Sequence, residues 1–560
     1  MTGAFAVRFY HFHDWLYFKM DQSRDAFMVA NAVQNGPQDL PLLGARAGAT
    51  KVKYGFLRLG PIFYYFQYLS GALFHSVKPD VFAYPDLFFG IMVLPLLYVF
   101  SRIYFKRYIS LLIMLMYAFS FLIIQYSRFA WNPNSLPFFV ILSFIGLLKM
   151  LNPQKEKNRK WWVALWATGL AIGSQLHFVG FFSLIGVSGL LVIYHYKLWK
   201  ATNIRKIFKK EIFKKIAISI GVALAVFLVF YTPVIISDSM MHWENSKDFI
   251  QAFSSKPTNH SFIEKLGKNT EESIKYYTMI TTSYIANHDH PSKNFWPYLF
   301  SILVFISGIV LIIQSIKKTK NNLKKDFLLL LLFWIGFFFV MTTLVAYQIR
   351  PRYFIFVFAV PFIFLGIIFE FLEEKKIKFY PYIIASLVAL ILLFNANGTT
   401  AWFKEQSKSQ KEHFKVRRTL ILKVKDGVTL GQLEKVSNYI YAHHRPGYTL
   451  YFYVKPEHVR PLQYLFWEKN DPTLIYSTLK LNQNPKAQYF AVVPAKEEAI
   501  NKVEKKYGVT FTVLNSQQFG QLEVFEINFT NRKVSDSFHF NKKTGETDRV
   551  FWKDVFGIKE

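Results

Sequence analysis

The 560-residue sequence contains no cysteine, which excludes disulfides and cysteine metal centres but leaves the compartment open. Acidic residues are scarce: 36 Asp and Glu face 67 Lys and Arg, a formal net charge of +31. Also missing are a Walker A loop, a GxGxxG fingerprint, an HExxH pair and a GxSxG elbow in any position that would give chemistry. Soluble nucleotide-driven mechanisms are thereby disfavoured. What is abundant is apolar: 52% of residues are hydrophobic, with 60 Phe, 32 Tyr and 12 Trp, and the mean hydropathy is positive. In a soluble protein the basic excess would suggest nucleic acid. Here it falls in short runs between apolar segments, as membrane orientation requires, so no nucleic-acid partner is expected.

The apolar runs predict a polytopic α-helical membrane protein. Ten spans are expected, at 84–101, 109–126, 136–151, 161–178, 179–196, 216–236, 295–315, 327–346, 353–371 and 379–396, each near the length that crosses a bilayer core. One set of connecting loops is basic; segment 197–215 alone carries eight Lys and Arg against Glu211. The other set is nearly neutral, with only Arg128 at 127–135 and six Lys against seven acids at 237–294. By the positive-inside rule the basic set is cytoplasmic. Residues 1–83 then form an outer loop with juxtamembrane helices, 84–396 the transmembrane domain, and 397–560 an extracytoplasmic α/β domain. The expected location is the plasma or inner membrane, amid its lipids. Export of the polar N-terminal segment needs an apolar stretch ahead of it, so the reading frame is expected to extend upstream.

In the outer segments, MDQSRDAFMVANAVQNG (20–36) has apolar residues at helical spacing and a Gly stop at Gly36. Asp21, Arg24 and Asp25 fall on its first turns, where a carboxylate complements the helix dipole; a plain N-cap accounts for Asp21 as well. Residues 58–75 read as a short interfacial helix opened by Pro61. Arg128 stands in SRFAWNPN (127–134), and Arg350 and Arg352 in RPRY (350–353). Each alone fits snorkelling to headgroups; together they suggest a phosphate cradle. His177 closes a span, where a local hydrogen bond accounts for it as readily as function. His288, Asp289 and His290 could ligate a metal, but their spacing matches no standard site and solvated surface is favoured.

The order of these motifs, DQSRD, RLGPIFYY, SRFAWNPN, QLHF and RPRYF, resembles the GT-C superfamily of membrane glycosyltransferases over roughly residues 5–375. Within it the chain is similar to the phospholipid-carrier-dependent group, with the protein O-mannosyltransferases and the aminoarabinose–lipid A transferase. The resemblance implies sugar transfer from a polyprenyl-phosphate-linked donor to a lipid, glycan or protein acceptor at the outer face, with inversion. It assigns the catalytic carboxylate to Asp21, with Asp25 second. Arg24, Arg58, Arg128, Arg350 and Arg352 are the cations for the donor phosphate, preferred in the order Arg352, Arg350, Arg58. Tyr64, Tyr65, Trp131, His177 and Tyr353 would line the acceptor and sugar pocket. No cofactor is assigned, and a divalent metal is left open. Leu59-Gly60 stand where lipid A-modifying relatives carry a Lys, which argues against aminoarabinose.

For 397–560 the pattern predicts strands at 418–424, 448–454, 472–477, 488–493, 509–514 and 522–528. Helices are predicted at 429–444, 456–468 and 495–506. No catalytic signature appears there. A transporter or flippase of lipid-linked sugars is the alternative from another class, but it would show repeated halves, and none is evident. A polysaccharide ligase or polymerase shares the architecture.

Overall fold

The computed structural model describes residues 1–51, 56–200, 210–254, 260–284, 295–419, 421, 426–479, 486–496, 500–530 and 549–558. Every one of the ten expected spans coincides with helix, but they are not ten equal crossings. Seven helices have the length and apolarity to cross a membrane: Val81–Ser101, Asn132–Leu151, Phe178–His195, Phe213–Met240, Phe295–Lys318, Asn322–Leu344 and Tyr380–Ser409. An eighth arises if the pair Pro351–Val357 and Val360–Glu374, bent by 42°, is one span.

The two remaining expected spans differ for identifiable reasons. The stretch 109–126 breaks at Phe119–Ser120 into helices Arg107–Ala118 and Phe121–Tyr126. Backbone freed at such a break needs partners. Ser120 Oγ donates to the Ile280 carbonyl (2.7 Å) and Phe121 N to Asn395 Oδ1 (2.8 Å). The stretch 161–178 forms helix Arg159–Leu176, opened by charged Arg159 and Lys160 and closed by polar Ser174 and Gln175, which leaves it less apolar than the seven. Its Ser174 hydroxyl meets the Tyr231 hydroxyl (2.6 Å), and Gln175 donates to the Phe230 carbonyl (3.0 Å).

Segment 237–294, read as loop, contains helices Glu244–Ser254 and Phe262–Thr282. The second is opened by a capping box of Ser261 and Glu264 and packs into the bundle. There Asn269 donates to the Phe339 carbonyl and to Thr343 Oγ1, both at 2.8 Å.

The N-terminal segment forms α1 (Thr2–Phe9), α2 (Met20–Asn35) and α3 (Ile62–Leu73), with a short antiparallel ribbon of β1 (Arg46–Lys51) and β2 (Phe56–Arg58) between the last two. Helix α2 stops at Gly36, whose φ of +117° suits glycine. The last membrane helix runs on to Ser409, so the expected boundary at 396 falls inside one continuous helix.

Beyond it lie β3 (Thr449–Tyr453), β4 (Tyr476–Thr478), β5 (Ala487–Pro494), β6 (Phe511–Phe519) and β7 (Leu522–Phe529), which form a five-stranded sheet in the order β4-β3-β5-β7-β6. β3 pairs in parallel with β4 and β5, while β7 lies antiparallel to β5 and β6. Parallel neighbours need a crossover, which helix Pro456–Glu468 supplies between β3 and β4. The strand expected at 418–424 lies largely outside the described residues. The α/β unit sits directly on α2: Phe18 and Phe27 contact the Tyr464 ring (5.7 and 4.9 Å between centroids), and Leu430 N donates to the Leu16 carbonyl (3.0 Å).

Candidate functional site

Helix α2 places Asp21, Arg24 and Asp25 on one face, since residues three and four apart are neighbours. Arg24 bridges the two carboxylates, Nε to Asp25 Oδ1 at 2.9 Å and Nη1 to Asp21 Oδ1 at 3.2 Å. The carboxylates differ in their surroundings. The Asp25 side chain is 5% exposed and also accepts from the Tyr64 hydroxyl at 3.1 Å, whereas that of Asp21 is 48% exposed. Burial pushes the Asp25 carboxyl above its ordinary range, against the pull of Arg24. Asp25 is thus committed to holding Arg24 and Tyr64, and Asp21 presents an accessible oxygen on the first turn.

A second group assembles around Trp131. Arg352, half-buried, lies over the Trp131 ring at 5.5 Å and the Tyr353 ring at 5.9 Å. Among the described residues it forms no ion pair with a carboxylate. His177 sets its ring edge-on to Tyr353 (5.5 Å) and accepts from Val179 N at 3.2 Å, capping helix Phe178–His195. The turn carrying Trp131 is pinned by buried Asp86, which accepts from Trp131 N (2.8 Å) and Ser135 Oγ (2.5 Å).

An aromatic row joins the two groups. Trp131 contacts Phe129 (5.8 Å), and Phe129 contacts Tyr17 (5.3 Å). Burial, followed by the charges of Asp21, Asp426 and Glu457, raises the Tyr17 phenol. Tyr17, within electrostatic reach of Asp21, stands at one end of a row that meets Arg352 at the other.

Other expected residues are engaged elsewhere. Arg128 is buried and gives its guanidinium to four carbonyls: Val7 (3.0 Å), Arg8 (2.9 Å), Tyr10 (2.6 Å) and His11 (3.4 Å). It closes the C-terminal end of α1, a usual place for a cation, and these contacts engage both terminal nitrogens, the ones a phosphate would need for a forked contact. Arg58 donates to the Gly44 carbonyl (3.3 Å). Tyr65 binds the Pro41 carbonyl (3.3 Å) and receives Trp552 Nε1 (3.0 Å). Arg350 is exposed, near enough to act on Tyr276. His288, Asp289 and His290 lie outside the described residues.

The α/β unit adds residues that the sequence reading missed. Lys19, the residue before α2, is buried with its ammonium 3.0 and 3.2 Å from the two Asp426 oxygens, and His458 Nε2 is 3.3 Å from Asp426. Burial lowers Lys19 against the attraction of Asp426. Burial would raise Asp426, but the hydrogen bond from His458 and the charge of Lys19 outweigh it and hold that carboxyl well below its ordinary range. Asp426, Glu457 and His458 also bring one donor atom each within 4.8 Å of one another. A divalent ion would fit that donor set, but Lys19 already supplies the positive charge and would have to give way.

Residues 55–236 match the family model described as dolichyl-phosphate-mannose-protein mannosyltransferase. No curated protein matches the chain. Among solved structures, ArnT from Cupriavidus metallidurans, crystallised in the apo state and bound to undecaprenyl phosphate, is similar at 12% identity and a TM-score of 0.46, covering 94% of this chain and 96% of that one. The oligosaccharyltransferase AglB from Archaeoglobus fulgidus, in complex with an inhibitory peptide and a dolichol-phosphate, is similar at 11% identity and a TM-score of 0.45, covering 93% and 71%. The family match takes in RLGPIFYY, SRFAWNPN and QLHF, while DQSRD and RPRY lie beyond it. The likeness to this family of membrane glycosyltransferases therefore rests on residues 55–236, about a third of the chain.

Proposed function

We propose that the chain transfers a sugar from a polyprenyl-phosphate-linked donor to an acceptor at the outer face of the membrane, with inversion. The observation that carries this reading is the pairing of two available charges, the half-exposed Asp21 carboxylate and the Arg352 guanidinium, at opposite ends of the Tyr17–Phe129–Trp131 row. The Asp21 carboxylate takes the proton of the acceptor hydroxyl as its oxygen bonds to the anomeric carbon. The bond from that carbon to the donor phosphate breaks, and the phosphate leaves with the electron pair. Arg352 balances the charge that develops, with Arg350 at the exposed rim. Trp131 and Tyr353 offer faces to the sugar, and Asp25 keeps Arg24 from neutralising Asp21 alone.

The test is turnover by purified Asp21→Asn. General-base catalysis contributes roughly 10²–10⁴ in rate, so turnover falls by about that factor while folding and donor binding survive. Asn keeps the size and capping ability of Asp, so a pure cap would leave turnover within a few-fold of the parent chain, and that result would refute the assignment.

A further inference from the structure

A cleft of about 300 Å³ opens on the seam between the N-terminal segment and the α/β unit, at the small end of ligand sites. His13, Glu434, Glu468, Ser437 and Leu465 are among the residues that line it. His13 spans two carboxylates, Asp80 at 3.2 Å and Glu434 at 2.8 Å, and these hydrogen bonds raise its imidazole to about 10.

Two buried polar atoms at this seam have no hydrogen-bond partner among the described residues. Ser437 is 1% exposed and its Oγ has no hydrogen-bond partner; Asp80 Oδ1, buried beside His13, has none either. The Glu468 carboxylate, partly buried and lifted to about 7 by that burial against the pull of Lys78 and Lys469, is in no salt bridge among the described residues. A buried polar group left unsatisfied costs about 1–3 kcal/mol. A ligand that fills the cleft is therefore favoured if it carries hydrogen-bonding groups.

The lining also narrows the class of ligand. Leu465 is its one apolar member among those described, so a lipid tail gains little there. An anion would meet the carboxylates of Glu434 and Glu468 along with Lys78 and Lys469, so no single charge dominates the lining. A metal ion would meet the His13 cation, with Glu434 already committed. A neutral polyol suits this mixed lining: its hydroxyls donate to Glu468 and bond Ser437, while Lys78 and Lys469 donate to its oxygens.

We infer that this seam cleft is a binding site for a neutral saccharide, held by Glu468 and Ser437. Helix Pro456–Glu468 links it to the Asp21 region, since His458 at its start touches Asp426 and Glu468 ends it. Ten residues of helix rise roughly 15 Å, so one monosaccharide cannot occupy both places and only an oligosaccharide bridges them. Binding here does not depend on the proposed transfer reaction.

The test uses the full chain in a detergent without a sugar headgroup, titrated calorimetrically with maltotetraose, chitotetraose and mannotetraose. At least one should bind saturably, and Glu468→Gln and Ser437→Val should each weaken it about tenfold or more, the equivalent of one lost hydrogen bond to a charged or buried group. Thermal unfolding of both variants verifies that they fold. No saturable binding of any of the three, or binding unchanged in both variants, overturns the inference. So does binding that is lost in Asp21→Asn and kept in Glu468→Gln, which would place the saccharide at the candidate carboxylate.

Discussion

Replacing Arg352 by Ala probes the donor end of the proposed site. In the structure its guanidinium rests on Trp131 at 5.5 Å and, among the described residues, pairs with no carboxylate. Its removal therefore orphans no buried charge, and stability should change by less than about 1 kcal/mol. Its value lies in what it offers an incoming phosphate. A hydrogen bond to a charged group contributes about 1.5–3 kcal/mol. Arg352 is half-buried, so the upper part of that range applies, and roughly 2–3 kcal/mol converts to a 30- to 150-fold rise in Kd. Arg352→Lys restores the charge but neither the planar fork nor the stacking on Trp131, so it should recover only part of the loss. The assay is titration of the detergent-purified chain with a polyprenyl phosphate, alongside thermal unfolding of each variant. Unchanged affinity in Arg352→Ala would mean that the side chain only snorkels, and the phosphate assignment would fail.

Arg128→Ala should behave in the opposite way: it strands four carbonyls at the end of α1, so unfolding should come earlier by at least about 3 kcal/mol with polyprenyl phosphate affinity intact; lost affinity in a folded variant would reverse its assignment. His13 has its folded pKa raised from 6.5 to about 10, so its stabilisation is complete below 6.5 and is lost as pH rises through 10. His13→Gln should flatten the stability profile over that window, and a profile of unchanged slope would show that the Asp80 and Glu434 contacts do not hold the seam. Orientation is tested at Ser516, exposed on β6: Ser516→Cys, in a chain free of other cysteines, should label with an impermeant thiol reagent in intact spheroplasts, and labelling only after lysis would invert the topology.

Where local chemistry sets the structure, the sequence was legible. Helix α2 follows from its apolar spacing and Gly36, and helix 456–468 has the expected bounds. The Ser261-x-x-Glu264 capping box was a readable start signal for helix 262–282, obscured by the polar composition of the helix itself. The break at Phe119–Ser120 was not readable, because both halves are apolar and its partners, Ile280 and Asn395, come from distant segments. Residue type marked the arginines, but type does not say where donors go. The carbonyls that occupy Arg128 lie about 120 positions earlier, and Lys19 meets Asp426 across 407 positions. The pairing of Asp21 with Arg24 was local and visible, whereas the approach of Asp426 and Glu457 to Tyr17 belongs to tertiary structure alone.

The helix Tyr380–Ser409 acts as a rigid shaft between two machines whose gears must mesh. It leaves the bundle and enters the α/β unit without a joint, so its length fixes both the height and the heading of that unit. One inserted residue would turn the unit by about 100° and lift it by about 1.5 Å, separating Asp426 from Lys19 and Tyr464 from Phe27. Seven would nearly restore the heading but raise the unit by roughly 10 Å. The permitted lengths are therefore quantised, and the shaft can change its composition far more freely than its residue count.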